Sequence, residues 1–330
     1  LLGVLSASLI LYGFSLIYGL TGQLVFADIS AYLLANSLGS SPVLLLSAIL
    51  VISGIGFKIS VVPFHSWAPD TYEGAPLPIT AYLSVSSKAT GFVALIVLLT
   101  KVFESSGQSW GVILAIVAGA TMTLGNLVAL QQTNPVRLLA YSSISQAGFI
   151  IAPLAVSGIT GNYQDGIFAS VTYLIIYAFM NIGAFLSVHL FTNFTKSDNF
   201  YEWGGIAKHS PLTGVLTTVF FFSLAGIPPL GGWFAKFVVF RSLLSTGEII
   251  GISLAIVGAI NAVIALVYYA RISKVIWMDE LKNPEEDKSF EFQSPLKVVG
   301  ALTVLITFVA GIFPGIFSYL GEVSSIFFGN

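Results

Sequence analysis

Three lysines occupy positions where a charged side chain is costly, because Lys58, Lys88 and Lys236 each lie within a long apolar run. A lysine at the centre of a bilayer costs about 2.5–3.5 kcal/mol on insertion scales, so an intramembrane lysine usually has a function. A low-dielectric interior disfavours the charged ammonium form, which lets a buried lysine exchange its proton near neutral pH. The three lysines are therefore predicted to form a proton relay.

The composition indicates that these apolar runs are membrane spans. Hydrophobic residues make up 56% of the 330 positions and charged residues 8%, unlike a soluble domain. Apolar runs of about 20 residues, the length of a transmembrane helix, recur along the chain. We predict an all-α fold, a polytopic transmembrane helix bundle of about nine spans. The spans lie near Leu2–Leu20, Pro42–Val62, Pro78–Lys101, Trp110–Leu130, Val136–Val156, Gly166–Phe191, Pro211–Leu244, Ile249–Met278 and Leu296–Leu320.

The basic residues set the orientation of these spans. Alternation of the spans places most loop cations on one side, with Lys101 and Arg241 on the other. The first group is Arg137, Lys196, Lys208, Arg271, Lys274, Lys282, Lys288 and Lys297. The positive-inside rule makes the first side cytoplasmic. The polar segment Asp279–Phe292 falls there and is predicted to be a surface loop.

Two spans are predicted to be discontinuous helices. The run Pro211–Leu244 has 34 residues, about 50 Å as a straight helix against an apolar thickness of about 30 Å. Ala225–Gly232 supplies a break, because its prolines lack a backbone donor and its glycines tolerate non-helical backbone. Pro63 and Pro69 interrupt the other span next to Lys58. The two spans lie five crossings apart and so run in opposite directions, as in transporters with inverted repeats.

The surroundings of the lysines favour a hydrated interior. Lys88 lies about ten residues, or about 15 Å, from Pro78, close to Ser87 and other hydroxyl side chains. Lys58 lies nearer a span end, so snorkelling to the interface is an alternative there. No Asp or Glu lies inside a predicted span away from its ends, so the carboxylate that usually pairs with such lysines is absent from this chain.

Other polar residues are candidates for a supporting role. His65 either tunes the first break or is structural. Arg137 opens a polar path that continues with Tyr141, or it is an interfacial anchor. With Ser87, these residues form the predicted supporting set. The chain has no cysteine, three scattered histidines and no nucleotide-binding or H-E-x-x-H motif, so no cofactor-binding or metal site is predicted.

Three blocks of the sequence carry a resemblance to a known family. Gly56–Pro76, Asn134–Gln146 and Ser223–Phe237 resemble the signatures of the antiporter-like subunits of complex I, the respiratory NADH:quinone oxidoreductase. The similarity extends over nearly the whole chain and is greatest to the subunit N branch, which includes the corresponding subunits of cyanobacterial and chloroplast complexes. A lysine at position 236 favours subunit N or subunit L of complex I over subunit M. The short tail after Leu320 argues against subunit L.

The resemblance implies roles for the three lysines. Lys58 matches the central pathway lysine on a broken helix, Lys88 the bridging lysine, and Lys236 the lysine on the second broken helix near the exit. Val136 and Gln146 depart from the family pattern, since a basic residue and a histidine are frequent there. Residues 1–330 form one antiporter-like domain on this interpretation. About five N-terminal helices, with the buried glutamate that pairs with Lys58, are expected to precede it.

The resemblance also implies a function and partners. The chain is expected to be a membrane-arm subunit that couples redox chemistry to proton translocation beside other antiporter-like subunits. NADH or ferredoxin, FMN, iron–sulfur clusters and quinone would bind in other subunits. The membrane would be that of a bacterial cell, or a thylakoid in a cyanobacterium or plastid. A subunit of a multisubunit cation/proton antiporter, or a scaffold whose lysines only anchor helices, are the alternatives.

Overall fold

The computed structural model of the protein describes residues 2–280 and 294–329, which form fourteen α-helices and no strand. The helices are α1 (Leu2–Thr21), α2 (Phe26–Ala35), α3 (Pro42–Ile59), α4 (Trp67–Gly74), α5 (Leu77–Tyr82), α6 (Lys88–Lys101), α7 (Gly107–Ala129), α8 (Pro135–Thr160), α9 (Tyr163–Thr195), α10 (Pro211–Ala225), α11 (Gly231–Ser245), α12 (Ile249–Met278), α13 (Ser294–Ile312) and α14 (Gly315–Gly329). A π-helical turn, Leu83–Ser87, joins α5 to α6.

The predicted membrane bundle is confirmed. Within the described ranges, eight helical segments are long and apolar enough to cross a bilayer, with α5 and α6 forming one of them. Helices α10 and α11, of 15 residues each, together make the remaining predicted span. Most of the predicted loop Asp279–Phe292, including Lys282 and Lys288, lies outside the described residues.

Two features of the bundle differ from the prediction. The last predicted span, Leu296–Leu320, is interrupted, because α13 stops at Ile312 and α14 starts at Gly315. Pro314 lies between them and has no backbone donor to continue the helix. The short helix α2 was not predicted at all, because its ten residues fall below the length that a membrane span requires.

Helices α8 and α9 form the centre of the bundle, and α8 is buried on all sides. Helix α8 lies directly against α7 because glycines let the two backbones touch. A methyl group built on Gly125 of α7 would lie 2.7 Å from the backbone nitrogen of Ser145, and one on Gly148 of α8 would lie 2.8 Å from that of Met122. Small residues at helix contacts are typical of membrane bundles. The contact fixes the polar residues of α8 in the interior.

The close contact predicts that two glycines of α7 differ in how much an alanine substitution destabilises the protein. Gly125→Ala should lower the free energy of unfolding by about 1–3 kcal/mol, because the new methyl group meets backbone that cannot move aside. Gly119→Ala is the matched control, since no atom lies closer than 3.8 Å to a methyl group built there. The measurement is the thermal unfolding midpoint of the subunit in its assembled complex. Equal midpoints for the two variants would contradict the glycine contact.

Candidate functional site

The first discontinuity follows Lys58 at the end of α3. Ser60 takes a left-handed backbone conformation (φ 59°), and helix α4 starts at Trp67. The indole of Trp67 donates a hydrogen bond to the carbonyl of Phe57 across the break (2.8 Å). This bond occupies one of the carbonyls that the end of a helix leaves without an intrahelical donor.

The second discontinuity separates α10 from α11. Gly226 takes a left-handed conformation (φ 96°) directly after α10 ends at Ala225. The backbone N–H of Gly232, near the start of α11, donates to the hydroxyl of Ser223 (3.1 Å). A side chain on Gly232 would overlap the carbonyl of Ser223, so the two half-helices can pack this closely only with glycine there. Both predicted discontinuities are thereby confirmed.

The second discontinuity lies against the interruption between α13 and α14. Gly311, near the end of α13, contacts the backbone of Pro229 and Leu230 in the α10–α11 break. The indole of Trp233 in α11 donates to the carbonyl of Gly311 (3.2 Å). Two segments of irregular backbone are therefore neighbours within the described bundle.

Lys88 is buried at the start of α6, with 1% of its surface exposed. Its ammonium donates to the hydroxyl of Ser143 (2.8 Å) and to the carbonyl of the same residue (3.2 Å). The ring of Tyr72 in α4 lies beside it, with the ring centroid 5.8 Å from the nitrogen. Within the described residues no carboxylate forms an ion pair with this lysine.

Lys236 is buried on α11, with 5% of its surface exposed. Its ammonium donates to the carbonyls of Leu224 (3.1 Å) and Ala225, which end α10. The carbonyls at a helix C-terminus carry a partial negative charge that stabilises a cation. The ring of Phe149 lies 5.3 Å from the nitrogen. Among the residues that the structure describes, no carboxylate forms an ion pair with Lys236 either.

Helix α8 contributes a polar side chain to the surroundings of each buried lysine. Ser143, which binds Lys88, is followed one turn later by Gln146. The amide of Gln146 donates to the carbonyl of Leu224 (3.2 Å), the oxygen that also accepts from Lys236. A hydroxyl on α9, that of Tyr173, donates to the amide oxygen of Gln146.

A second polar cluster joins α8 to α7 and α12. The hydroxyls of Ser142 and Tyr269 are hydrogen-bonded to each other. The neighbouring Tyr268 donates to the amide oxygen of Asn126 (3.0 Å). The amide nitrogen of Asn126 donates to the amide oxygen of Asn261 (3.0 Å). These buried polar side chains have partners and hold three helices together inside the bundle.

Lys58 lies in a different environment from the other two lysines. It is exposed on the described bundle, in the last turn of α3. Its aliphatic stem packs against Gly91, because a methyl group built on Gly91 would lie 3.3 Å from its Cγ. Gly91 follows Lys88 by three residues on α6, so the stem of Lys58 lies beside the helix that carries Lys88.

The predicted supporting residues take different positions. His65 is half-buried in the first break, and its Nδ1 has no hydrogen-bond partner in the described ranges. Ser87 is half-buried in the π-helical turn, whereas the ammonium of Lys88 binds Ser143 instead. Tyr141 is half-buried, and its carbonyl faces Gly125 of α7. Arg137 forms ion pairs with Asp70 (2.8 Å) and Glu73 (2.6 Å) of α4.

Several groups around the lysines were missed in the sequence. Tyr72 and Phe149 provide the rings beside the two ammonium groups, and Tyr173 binds Gln146. A signal was present, because Tyr173, Tyr177 and Asn181 are spaced by four residues and therefore share one face of α9.

Among the described residues, no group of three or more His, Cys, Asp and Glu side chains has the arrangement of a metal site. The polar groups of the site are hydroxyls, amides, carbonyls and two ammonium groups. Such groups can hold and transfer protons.

The chain is similar to known membrane proteins. A family model described as "NADH:quinone oxidoreductase/Mrp antiporter, TM" matches residues 1–264. NADH-quinone oxidoreductase subunit N of Desulforamulus reducens is 36% identical over 315 residues, which cover 96% of this chain and 63% of that protein. NAD(P)H-quinone oxidoreductase subunit 2 of Crocosphaera subtropica is 42% identical, over 94% of this chain and 60% of that protein. The chain thus spans less than two thirds of the length of these relatives.

Solved structures share the fold. A chain of respiratory complex I from Thermus thermophilus with bound aureothin matches 96% of this chain and 66% of its own length, with a TM-score of 0.74 and 27% identity. A chain of the Mrp complex from Dietzia sp. DQ12-45-1b matches 100% of this chain and 67% of its own, with a TM-score of 0.86 and 20% identity, which shows the fold alone. The resemblance to the subunit N branch is confirmed, and the chain belongs to the transmembrane family of NADH:quinone oxidoreductase and Mrp antiporter subunits.

Proposed function

We propose that this chain is a membrane-arm subunit of an NADH:quinone oxidoreductase and moves protons through Lys88 and Lys236, with Lys58 as the third lysine of the relay. The observation that carries the proposal is that two ammonium groups are buried at membrane depth and bound only by neutral oxygens of the described residues. Lysines that served as anchors would be expected to reach an interface or to pair with a carboxylate.

Neutral ligands leave the charge of each lysine free to change. A carboxylate at 4 Å interacts with an ammonium by about 4 kcal/mol at an effective dielectric constant of 20, which holds the proton in place. Hydroxyl and carbonyl dipoles stabilise the ammonium more weakly, so it can lose its proton when a neighbouring site becomes charged. A change of charge at one lysine then drives the proton at the next.

The energy for transport comes from outside this chain. Moving one proton against 100 mV requires about 2.3 kcal/mol. In our proposal the redox step that supplies this energy takes place in other subunits, which hold NADH or ferredoxin, FMN, iron–sulfur clusters and quinone. The chain lies beside other antiporter-like membrane-arm subunits. It is therefore a translocase component without a redox centre of its own.

A cation/proton antiporter subunit is the second candidate, because the family includes Mrp antiporters and the fold matches one of them. The relatives named as quinone oxidoreductase subunits, at 36% and 42% identity over nearly the whole chain, favour the first proposal. The same names support a location in a bacterial cell membrane, or in a thylakoid membrane for a cyanobacterial or plastid protein.

The proposal predicts that replacing either buried lysine with an uncharged residue abolishes proton pumping. Lys236→Met and Lys88→Met in the assembled complex should each abolish proton uptake into inverted vesicles and slow the coupled oxidation of the donor by quinone. Both quantities are measured on the same vesicles. Lys101→Met is the matched control, because Lys101 lies at the opposite end of α6 from Lys88.

The outcomes separate the candidates. Unchanged pumping and turnover in intact Lys88→Met and Lys236→Met complexes would show that the lysines are structural and would refute the proposal. Exchange of Na⁺ for protons by the complex in vesicles without an electron donor, lost in the same variants, would instead identify a cation/proton antiporter.

Arg137 contributes to the proposed pathway by positioning α4. Its ion pairs with Asp70 and Glu73 fix the exposed face of this short helix to the start of α8. The amide of Asn134 donates to Glu73 as well (3.0 Å). The residue between the two carboxylates that faces inward is Tyr72, which is fully buried beside Lys88. The surface ion pairs therefore hold the ring that lies next to the ammonium.

Loss of these ion pairs should loosen α4. Arg137→Gln is expected to increase hydrogen exchange of the α4 amides about fivefold, because such partly exposed pairs stabilise by up to about 1 kcal/mol. Pumping per turnover should fall less than in the lysine variants. Arg241→Gln is the control, since it removes an ion pair with Asp165 elsewhere in the bundle (3.6 Å). Unchanged protection of α4 would contradict the positioning role.

A further inference from the structure

The C-terminal end of α10 carries two carbonyls that its own helix cannot pair. In an α-helix the carbonyl of each residue accepts a hydrogen bond from the backbone N–H four residues later. For Leu224 and Ala225 those positions are Pro228 and Pro229, and proline has no backbone N–H. Side chains from other segments therefore have to supply the donors for both oxygens.

Two side chains share the carbonyl of Leu224. The ammonium of Lys236 donates to it (3.1 Å), and so does the amide nitrogen of Gln146 on α8 (3.2 Å). The carbonyl of Ala225 accepts from Lys236 as well. Both donors are buried, since Lys236 is 5% and Gln146 is 2% exposed. One buried oxygen thus receives an ammonium and an amide at the same time.

The orientation of Gln146 is fixed at both of its ends. A carbonyl can only accept, so the nitrogen of the Gln146 amide has to face Leu224 and its oxygen has to face away. The hydroxyl of Tyr173 on α9 donates to that oxygen. Tyr173 is fully buried, and its ring stacks on that of Phe149 with centroids 6.2 Å apart. Two hydrogen bonds therefore point in one direction, from Tyr173 through Gln146 to the carbonyl beside Lys236.

This alignment opposes the positive charge on Lys236. The N–H end of an amide is the positive end of its dipole, and here it converges with the ammonium on the same oxygen. Each hydrogen bond in a chain polarises the next, so the hydroxyl of Tyr173 strengthens the donor on Gln146. The carbonyl of Leu224 then has less of its negative charge available for the ammonium.

Gln146 also stabilises the neutral state of the site. A buried carbonyl that loses its donor destabilises the structure. When Lys236 gives up its proton and its hydrogen bond to Leu224 weakens, this carbonyl keeps the amide of Gln146 as a donor. Both effects favour release of the proton.

The other titratable side chains on the helices around Lys236 are bound elsewhere or stay neutral. Helix α10 has none, and α13 has only Lys297, which is exposed in its first turn. The tyrosines of α8, α9 and α12 keep their proton near neutral pH, because the ordinary pKa of a phenol is about 10. The remaining groups have partners: Arg137 pairs with Asp70 and Glu73, Arg241 with Asp165 (3.6 Å), Arg271 with the carbonyl of Leu130 (2.9 Å), Lys274 with Asp279 (3.9 Å) and His189 with Asn193 (3.0 Å).

We propose that Gln146 is a positioning residue that sets how readily Lys236 releases its proton, and that Tyr173 acts through Gln146. This inference rests on the proposed function and deepens it. The amide neither gains nor loses a proton, so the proton that moves is the one carried by Lys236. Gln146 shares the carbonyl of Leu224 with the ammonium and keeps it paired when the amine is neutral.

The test is Gln146→Met in the assembled complex, which keeps the length of the side chain and removes the amide. The carbonyl of Leu224 is then left to Lys236 alone and holds the ammonium more firmly. The pH profile of coupled turnover should therefore move to higher pH by about 0.5–1 unit, a three- to tenfold change in proton concentration. A purely structural role would lower turnover equally at every pH. An unmoved profile, or a move to lower pH, would overturn the proposal.

Tyr173→Phe tests the second part of the proposal, because it keeps the stacked ring and removes only the hydroxyl. Gln146 then keeps its N–H donor but loses the bond that polarises it, so the profile should move in the same direction by a smaller amount. Added to Gln146→Met, this change should have no further effect on the profile. Additive shifts would refute the action of Tyr173 through Gln146. If Gln146→Met does not assemble, an unmoved profile in Tyr173→Phe overturns the proposal.

Ser170→Ala is the matched control. The hydroxyl of Ser170 donates to the carbonyl of Ile150 (2.7 Å), so it also joins α9 to α8 by one buried hydrogen bond. That bond involves neither Lys236 nor its carbonyl ligands, and the pH profile should stay in place. An equal shift in Ser170→Ala and Gln146→Met would contradict the assignment, because loss of any bond between α8 and α9 would then suffice.

The outcomes distinguish this inference from the proposed function. Unmoved profiles in Gln146→Met and Tyr173→Phe, with pumping lost in Lys236→Met, would refute only the role of Gln146. Normal pumping in Lys236→Met would refute both proposals, because the lysine that Gln146 positions would then carry no proton of the pathway.

Discussion

An ammonium group inside a bilayer must find its ligands within the protein, and this requirement explains much of the bundle. Lys236 is bound by the carbonyls that the end of α10 leaves without intrahelical donors. The same helix end requires Gly226 in a left-handed conformation, and a side chain there would meet the stem of Lys236. The broken helix and the buried charge are thus one structural solution, because a continuous helix would offer the lysine no free carbonyl.

The close packing of α8 suits the proposed transport. Glycines hold α8 in backbone contact with α7, so Ser143 and Gln146 stay in place although both are polar and buried. Pre-organised polar groups stabilise a moving charge without first having to reorient. Side chains on a surface helix would reorganise with each change of charge. Burial of α8 on all sides therefore supports both the fold and the proposed pathway.

Much of this arrangement can be predicted from the sequence, since it depends on local patterns. The hydropathy of the sequence predicts the membrane spans. The positions of proline and glycine predict the helix breaks beside Lys58 and Lys236. The ligands of the lysines are harder to predict, because Ser143 lies 55 positions from Lys88 and joins it only through helix packing. Tyr173 and Tyr177 on α9 were overlooked, since tyrosines in an apolar span resemble core residues. The π-helical turn before Lys88 has no Pro or Gly that would mark it.

The adjacent irregular segments of α10–α11 and α13–α14 have a mechanical consequence. The carbonyl of Gly311 is tied to the indole of Trp233, and Gly231 packs against Thr307 and Ala310 of α13. Because the two interruptions are in backbone contact, a displacement of one would press on the other. A displacement of α13 would thus reach the start of α11, the helix that carries Lys236. A neighbouring protein that touches only the far end of α13 would then act on the proposed proton site mechanically, without any charge of its own.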